Sequence, residues 1–211
     1  MKRKSIFPAL FLSLGILSGC GATRPSKYYQ LTAPSDKIAG ADPAPFPVTL
    51  LVGRITTSLL YRDDHIVYTS NGEAMGTYEY QRWAEPPSEM ISDVLLRKLQ
   101  DSDRYEHVYT LRSDAHGDFV LRGRLYDLRE IDGDGKAPAA RVAFEFELRD
   151  SKTGTTVWSR SYSHDEPVSG KNVTAVVAAI DRNVQSGLSE VLEGLDKYFS
   201  TRSAVASTVA P

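Results

Sequence analysis

The 211 residues include a single cysteine, Cys20, so no internal disulfide can form and the fold must be held together by its core. There is no apolar run of 18 or more residues, which argues against a permanent membrane-spanning helix. No Gly-rich phosphate loop and no serine in a nucleophile elbow are present. The four histidines, His65, His107, His116 and His164, are scattered and have no partners at metal-ligand or catalytic spacing. The nearest approach to a metal motif is the run from Glu130 through Asp132 and Asp134 to Gly135. It has Arg141 where a calcium loop needs a bidentate carboxylate, so a hairpin turn is the better reading. The sequence therefore assigns no catalytic residue and no metal ligand. Positive charge is also scarce. Of the 25 Lys and Arg, three (Lys2, Arg3, Lys4) precede the apolar stretch at 6–17, and without them 22 basic residues face 27 acidic ones, a net charge of −5. Such a balance argues against nucleic acid as a partner and against a polybasic membrane patch.

The N-terminus itself is informative. A basic start, an apolar stretch and the small residues Ser18 and Gly19 ahead of Cys20 make residues 1–19 a secretion signal. Leu17-Ser18-Gly19-Cys20 resembles the lipobox of bacterial lipoproteins, which implies diacylglycerol on the thiol and an N-acyl chain on the new terminus, with no other cofactor. Thioether formation would also remove an unpaired thiol from an oxidising compartment. Gly21 stands where an inner-membrane retention signal commonly has Asp, so the expected location is the periplasmic face of the outer membrane. Residues 20–27 read as a short lipidated tether of about 25 Å at most, at roughly 3.5 Å per residue.

Residues 28–200 read as one domain. Strands are expected at 28–32, 48–60, 65–69, 77–83 and 105–111, with a Pro-rich surface loop at 33–47 and an Asn71-Gly72 turn. Pro86 and Pro87 can open a helix, and Ile91, Val94, Leu95 and Leu99 then recur at helical spacing to Ser102. Phe119, Leu121 and Leu125 alternate with Arg122 and Arg124, while Val142, Phe144, Phe146 and Leu148 alternate with Glu145 and Glu147. An Asp-Gly turn at 132–135 between them predicts antiparallel pairing with arginine opposite glutamate on a wet face. A third strand follows at 157–164. Val173, Val177, Ile180, Val184, Leu188, Val191, Leu195 and Tyr198 then form one stripe of a long helix capped by Asn172, and 201–211 reads as a disordered tail. The fold class is α+β, an α/β sandwich with a mixed, largely antiparallel sheet carrying two helices.

Tyr61, Tyr68, Tyr78, Tyr80 and Trp83 cluster in the first half. Tyrosine and tryptophan favour surfaces with one apolar and one wet side, so Tyr61, Tyr78, Tyr80 and Trp83 are the candidate partner-binding residues; the competing reading places several of them in the core.

The same region carries a resemblance. Tyr28-Tyr29-Gln30-Leu31 after the lipid cysteine, His65-Ile66-Val67-Tyr68, the run from Tyr78 through Arg82-Trp83-Ala84-Glu85 to Pro87, Leu121-Arg122-Gly123-Arg124-Leu125 and Val176-Val177-Ala178-Ala179-Ile180 are similar to the ABC-type transport auxiliary lipoproteins, the PqiC-like family. The resemblance implies a fold similar to the N-terminal domain of TolB. It also implies a non-enzymatic outer-membrane component of a lipid transport system, a homo-oligomer partnered by an MCE-domain periplasmic protein of an ABC-type or PqiA-like transporter. The alternative expectation is a lipoprotein activator of a peptidoglycan synthase, which would need a longer tether.

Overall fold

The computed structural model describes residues 24–33, 45–70, 74–112, 114, 116–131 and 137–209. The segment expected to be a secretion signal, Cys20, the turns expected at Asn71-Gly72 and 132–135 and most of the expected Pro-rich loop lie outside the described residues. Eight strands and two helices follow in the order β1 (Lys27–Tyr29), β2 (Phe46–Thr57), β3 (His65–Ser70), β4 (Ala74–Trp83), α1 (Pro87–Asp101), β5 (Tyr105–Thr110), β6 (Phe119–Ile131), β7 (Ala139–Asp150), β8 (Thr156–Pro167) and α2 (Val173–Val209). This is the expected α+β class, a mixed sheet with two helices.

β6 organises the sheet. Along one edge it pairs antiparallel with β7, which pairs antiparallel with β8. Arg122 faces Glu147 and Arg124 faces Glu145, as the alternation of the two strands requires. The opposite edge of β6 is shared: its first half runs parallel to β2 and its last three residues run parallel to β3. β2 and β3 therefore occupy one lane, interrupted at 58–64. β5 extends the sheet beyond β2, and β4 then β1 extend it beyond β3. A bulge at Tyr126 switches the inward set of β6 from Phe119, Leu121 and Leu125 to Leu128, keeping the core continuous past the change of neighbour.

α1 packs on β2 and β5, and α2 packs on β7 and β8. Pro86 and Pro87 open α1, and Ile91, Leu95 and Leu99 are buried on its sheet side. α2 is capped as expected, since Asn172 Oδ1 accepts a hydrogen bond from the Ala175 N–H at 2.9 Å. Gly187 and Gly194 let α2 come close to the sheet. A Cβ on Gly187 would lie 2.5 Å from the Phe144 ring, and one on Gly194 would lie 2.8 Å from that of Trp158.

Several expectations need correction. The second strand begins at Phe46 rather than 48 and ends at Thr57, where a 3-10 turn, Leu59–Tyr61, takes over. Phe46 belongs to the core, against Phe199 and Tyr105, and Pro47 fits at the start of the strand where the register with β5 shifts. The first strand is three residues long and does not reach 32. The tail is not an irregular segment through its length: α2 continues through Val209. An established helix propagates with one hydrogen bond per added residue, and neither glycine nor proline interrupts it before Pro211. Arg202 adds a local reason, with its guanidinium 5.2 Å from the Phe119 ring centroid and Nη1 donating to the Tyr198 hydroxyl at 3.2 Å.

Candidate docking surface and the tethered edge

The first described residues are sewn onto the molecule. β1 pairs parallel with the end of β4, placing Tyr28 beside Arg82 and Tyr29 beside Trp83. The Ala84 N–H donates to the Tyr29 carbonyl at 2.7 Å, and the Tyr29 hydroxyl lies 3.3 Å from that of Thr174 at the start of α2. Leu31 is buried. The Thr32 N–H and hydroxyl donate to the two carboxylate oxygens of Asp181 at 2.9 and 2.6 Å, while Gln185 Nε2 donates to the Thr32 carbonyl at 2.7 Å. Upstream, the Arg24 guanidinium sits 5.4 Å from the centroid of the Tyr80 ring, a cation–π distance. Only four residue steps separate Arg24 from Cys20, a reach of about 14 Å at full extension.

The four candidate aromatics divide into two pairs. Trp83 has no exposed surface, and its backbone N–H donates to the Asp64 carbonyl at 2.7 Å. Tyr61 is also buried, and its hydroxyl donates to Asp127 Oδ1 at 2.7 Å. Neither presents a surface to a partner, which corrects the expectation for both: the 3-10 turn folds Tyr61 back onto the sheet, and Trp83, flanked in the sheet by Tyr29 and the start of β3, puts its side chain into the core. Burial first, and then the hydrogen bond to Asp127, push the Tyr61 phenol up to about 12. Asp127 is itself raised, because desolvation outweighs the hydrogen bond from Tyr61 and the Arg129 guanidinium 2.9 Å away.

Tyr78 and Tyr80 remain within reach of solvent. The Tyr78 hydroxyl donates to Glu130 Oε2 at 2.6 Å, and its ring lies 4.9 Å from that of Tyr68. Gly76 is needed beneath Tyr68, since a Cβ there would lie 2.6 Å from the ring. Tyr80 hydrogen bonds with Glu79, which raises its phenol above the ordinary tyrosine range. Tyr28, 63% exposed, completes an aromatic edge on β1 and β4 beside Arg24.

Other exposed apolar groups were missed by the sequence reading. Leu59 is 76% exposed at the tip of the 58–64 interruption, and Tyr126 projects from the bulge with its hydroxyl donating to Glu145 Oε2 at 2.8 Å. The available signal was Leu59-Leu60 followed by Tyr61 and the charged run from Arg62 to Asp64, where alternation fails. At the other edge of the sheet, Trp158 on β8 and Tyr198 on α2 line an open groove with Arg160, Lys197 and Arg202. Among the described residues, no group of three or more His, Cys, Asp or Glu is placed to hold a metal ion, and no helix is long and apolar enough to cross a membrane.

The model of the ABC-type transport auxiliary lipoprotein component matches residues 29–191, from the end of β1 to well inside α2. The chain belongs to this family. As an auxiliary lipoprotein component it shares its fold with the crystal structure of XCC0632 from Xanthomonas campestris, a DUF330 protein, at a TM-score of 0.72 and 21% identity, covering 84% of this chain and 99% of that one. The hypothetical protein CT253 from Chlamydia trachomatis aligns at a TM-score of 0.50 and 9% identity over 72% of this chain and 98% of its own. The PelC dodecamer from Paraburkholderia phytofirmans aligns more loosely, with a TM-score of 0.43 and 16% identity, covering 71% and 93%. No curated protein matches the auxiliary component in sequence.

Proposed function

We propose that the protein is the non-enzymatic docking subunit of an MCE-type intermembrane lipid transport system, held on the periplasmic face of the outer membrane by acyl chains on Cys20. The observation that carries the reading is the junction of the family match with the N-terminal edge: a transport auxiliary domain is fastened to its own N-terminal strand, which begins at Lys27, seven residues after the candidate lipid cysteine. A bilayer lipid needs a shielded route across water, because each exposed methylene costs about 0.8 kcal/mol. A domain held against the bilayer is suited to receive the end of such a conduit. Triacylation makes the attachment lasting, whereas one chain alone binds marginally.

Activation of a peptidoglycan synthase is the competing reading, and it requires reach. Extending the tether beyond residues 20–26 would break the β1 pairing and then the hydrogen bonds of Thr32 to α2, so the short junction favours the conduit. The homo-oligomeric ring implied by the family resemblance belongs to the proposal. Affinity purification of the mature lipoprotein from membranes is expected to recover an MCE-domain protein, with sedimentation of the detergent-solubilised protein giving a multiple of the protomer mass. Recovery of a peptidoglycan synthase in its place rejects the conduit, and mass spectrometry showing an unmodified Cys20 rejects the anchor.

A further inference from the structure

On one side the sheet ends in β1 and β5, and on the other it ends in β8 alone. β1 and β8 stand at opposite ends of the path through β4, β3, β6 and β7, five strand spacings or roughly 24 Å apart. β1 follows the tether, so β8 is the edge turned away from the attachment point. β8 is 12 residues long, and among the described residues it pairs only with β7, leaving its other row of backbone N–H and C=O groups free of strand partners. Edge strands are usually guarded by bulges, prolines or brevity. Here the register irregularity lies at the start, near Trp158, and the proline is the last residue, Pro167; from Trp158 to Pro167 the pairing is regular.

Beside this edge lies a groove of about 570 Å³ between β8 and α2. Trp158, lying over Gly194, lines it together with Arg160, Lys197, Tyr198 and Arg202. Its charge opposes that of the chain as a whole. Glu190 neutralises Arg160, with Nη2 donating to Oε2 at 2.6 Å, and Asp150 lies within the field of Arg202. Lys197 adds a further cation to the lining, in a protein whose net charge is −2 even with its basic signal residues included. Lys197, Tyr198 and Arg202 also lie beyond residue 191, where the family match ends.

We propose that the β8 edge and its groove dock an extended acidic segment of a partner protein by strand addition. The partner backbone continues the ladder of β8, alternate side chains of the added strand project over the flank of α2, and carboxylates at those positions meet Lys197 and Arg202 while an aromatic or branched residue covers Trp158. The inference rests on the anchored reading only for which edge faces outward.

The test uses the mature protein purified in detergent and a fluorescein-labelled decapeptide alternating glutamate with valine around one central tyrosine. Saturable binding is expected in anisotropy, weakening as salt is raised. A K197E variant, with melting and circular dichroism unchanged, is expected to lose about tenfold in affinity, as is a peptide N-methylated at alternate residues so that it cannot extend the ladder. Equal binding of the lysine-for-glutamate peptide, or no saturable binding of the acidic one, overturns the proposal. So does a change of oligomeric mass in K197E without peptide binding, which would make the occupant a second copy of this chain. None of these outcomes depends on acylation of Cys20 or on which transport protein is recovered from membranes, so a failure here is distinct from failure of the conduit reading.

Discussion

In the blade formed by β6, β7 and β8, strands of 12 or 13 residues follow one another in the chain and pair antiparallel with their sequence neighbours. In the wing formed by β1, β4 and β3 the strands have three, ten and six residues, and β1 and β3 each have a parallel partner far away in sequence. The blade is held by strict alternation: Val142, Phe144, Phe146 and Leu148 point inward, and arginine and glutamate face each other outside. The wing is held by individual aromatics, Trp83 in the interior and Tyr61 folded under the 58–64 interruption. Local pattern is sufficient where pairing is local. Where the partner strand lies dozens of residues away, single large side chains fix the register. Four predictions, two in each region, test that contrast.

The largest effect is expected from Trp83→Ala. Trp83 is among the largest fully buried side chains, and emptying its site should cost about 3 to 5 kcal/mol in urea unfolding. A loss below about 1 kcal/mol would show that the wing collapses around the cavity and that the aromatic does not fix it.

The counterpart in the blade is polar. Asn183 is buried on α2, donating through Nδ2 to the carbonyls of Ala140 and His164 at 2.8 and 2.9 Å and accepting from the Tyr162 hydroxyl at 2.7 Å. It ties the helix to both β7 and β8 at one height. Asn183→Ala leaves two buried groups and one partly buried carbonyl without these partners and is expected to cost about 2 kcal/mol, read from the urea midpoint at constant m-value. An unchanged midpoint would mean that apolar alternation alone positions α2 on the blade.

The same contrast governs what could be read from sequence. α1 was legible to within one residue at its end, because Pro86-Pro87 and a spacing of three and four leave few alternatives. The register of β6 on β7 followed from two alternating patterns joined by a turn. Asn183 was visible in principle, as an amide three residues after Ile180 on the apolar side of α2, but its partners are fixed only once β8 is in place. The fates of Tyr61, Tyr78, Tyr80 and Trp83 were not legible. An aromatic in a strand suits a core or a wet interface equally, and what separates Tyr61 from Tyr80 is whether a residue such as Asp127, distant in sequence, lies beneath it. The docking groove escaped for a related reason: Tyr198 fits the core stripe of α2, and Trp158 sits in an ordinary strand.

Tyr61→Phe tests the wing more gently, with an expected loss of about 1 kcal/mol at neutral pH from the missing hydrogen bond to Asp127. The alkaline limb gives a sharper reading. The folded phenol titrates near 12 and the unfolded one near 10, so between those values the unfolded state has released a proton that the folded state still holds. Stability from this group is complete below pH 10 and declines as pH rises toward 12. Melting curves across that window should fall less steeply in Tyr61→Phe than in the parent protein. Identical slopes would mean that Tyr61 is as solvated in the native state as in the unfolded one, and that the 58–64 turn is not packed on the wing.

The smallest effect belongs to the wet face of the blade. Arg122 and Glu147 are directly opposed, as are Arg124 and Glu145, at solvent-facing positions where cross-strand ion pairs contribute only about 0.2 to 1 kcal/mol. Arg122→Glu places like charges across the ladder and should lower stability by a few tenths of a kcal/mol at low salt. Exchange of the pair, Arg122→Glu with Glu147→Arg, should restore it, because each strand keeps its alternation and only the sign at each site changes. If the blade is fixed by its inward apolar row, both variants retain the same register and the double mutant returns to the parent midpoint. If the charges instead select the register, the single variant should slip the pairing and show a changed m-value, an effect far larger than its lost Coulomb energy.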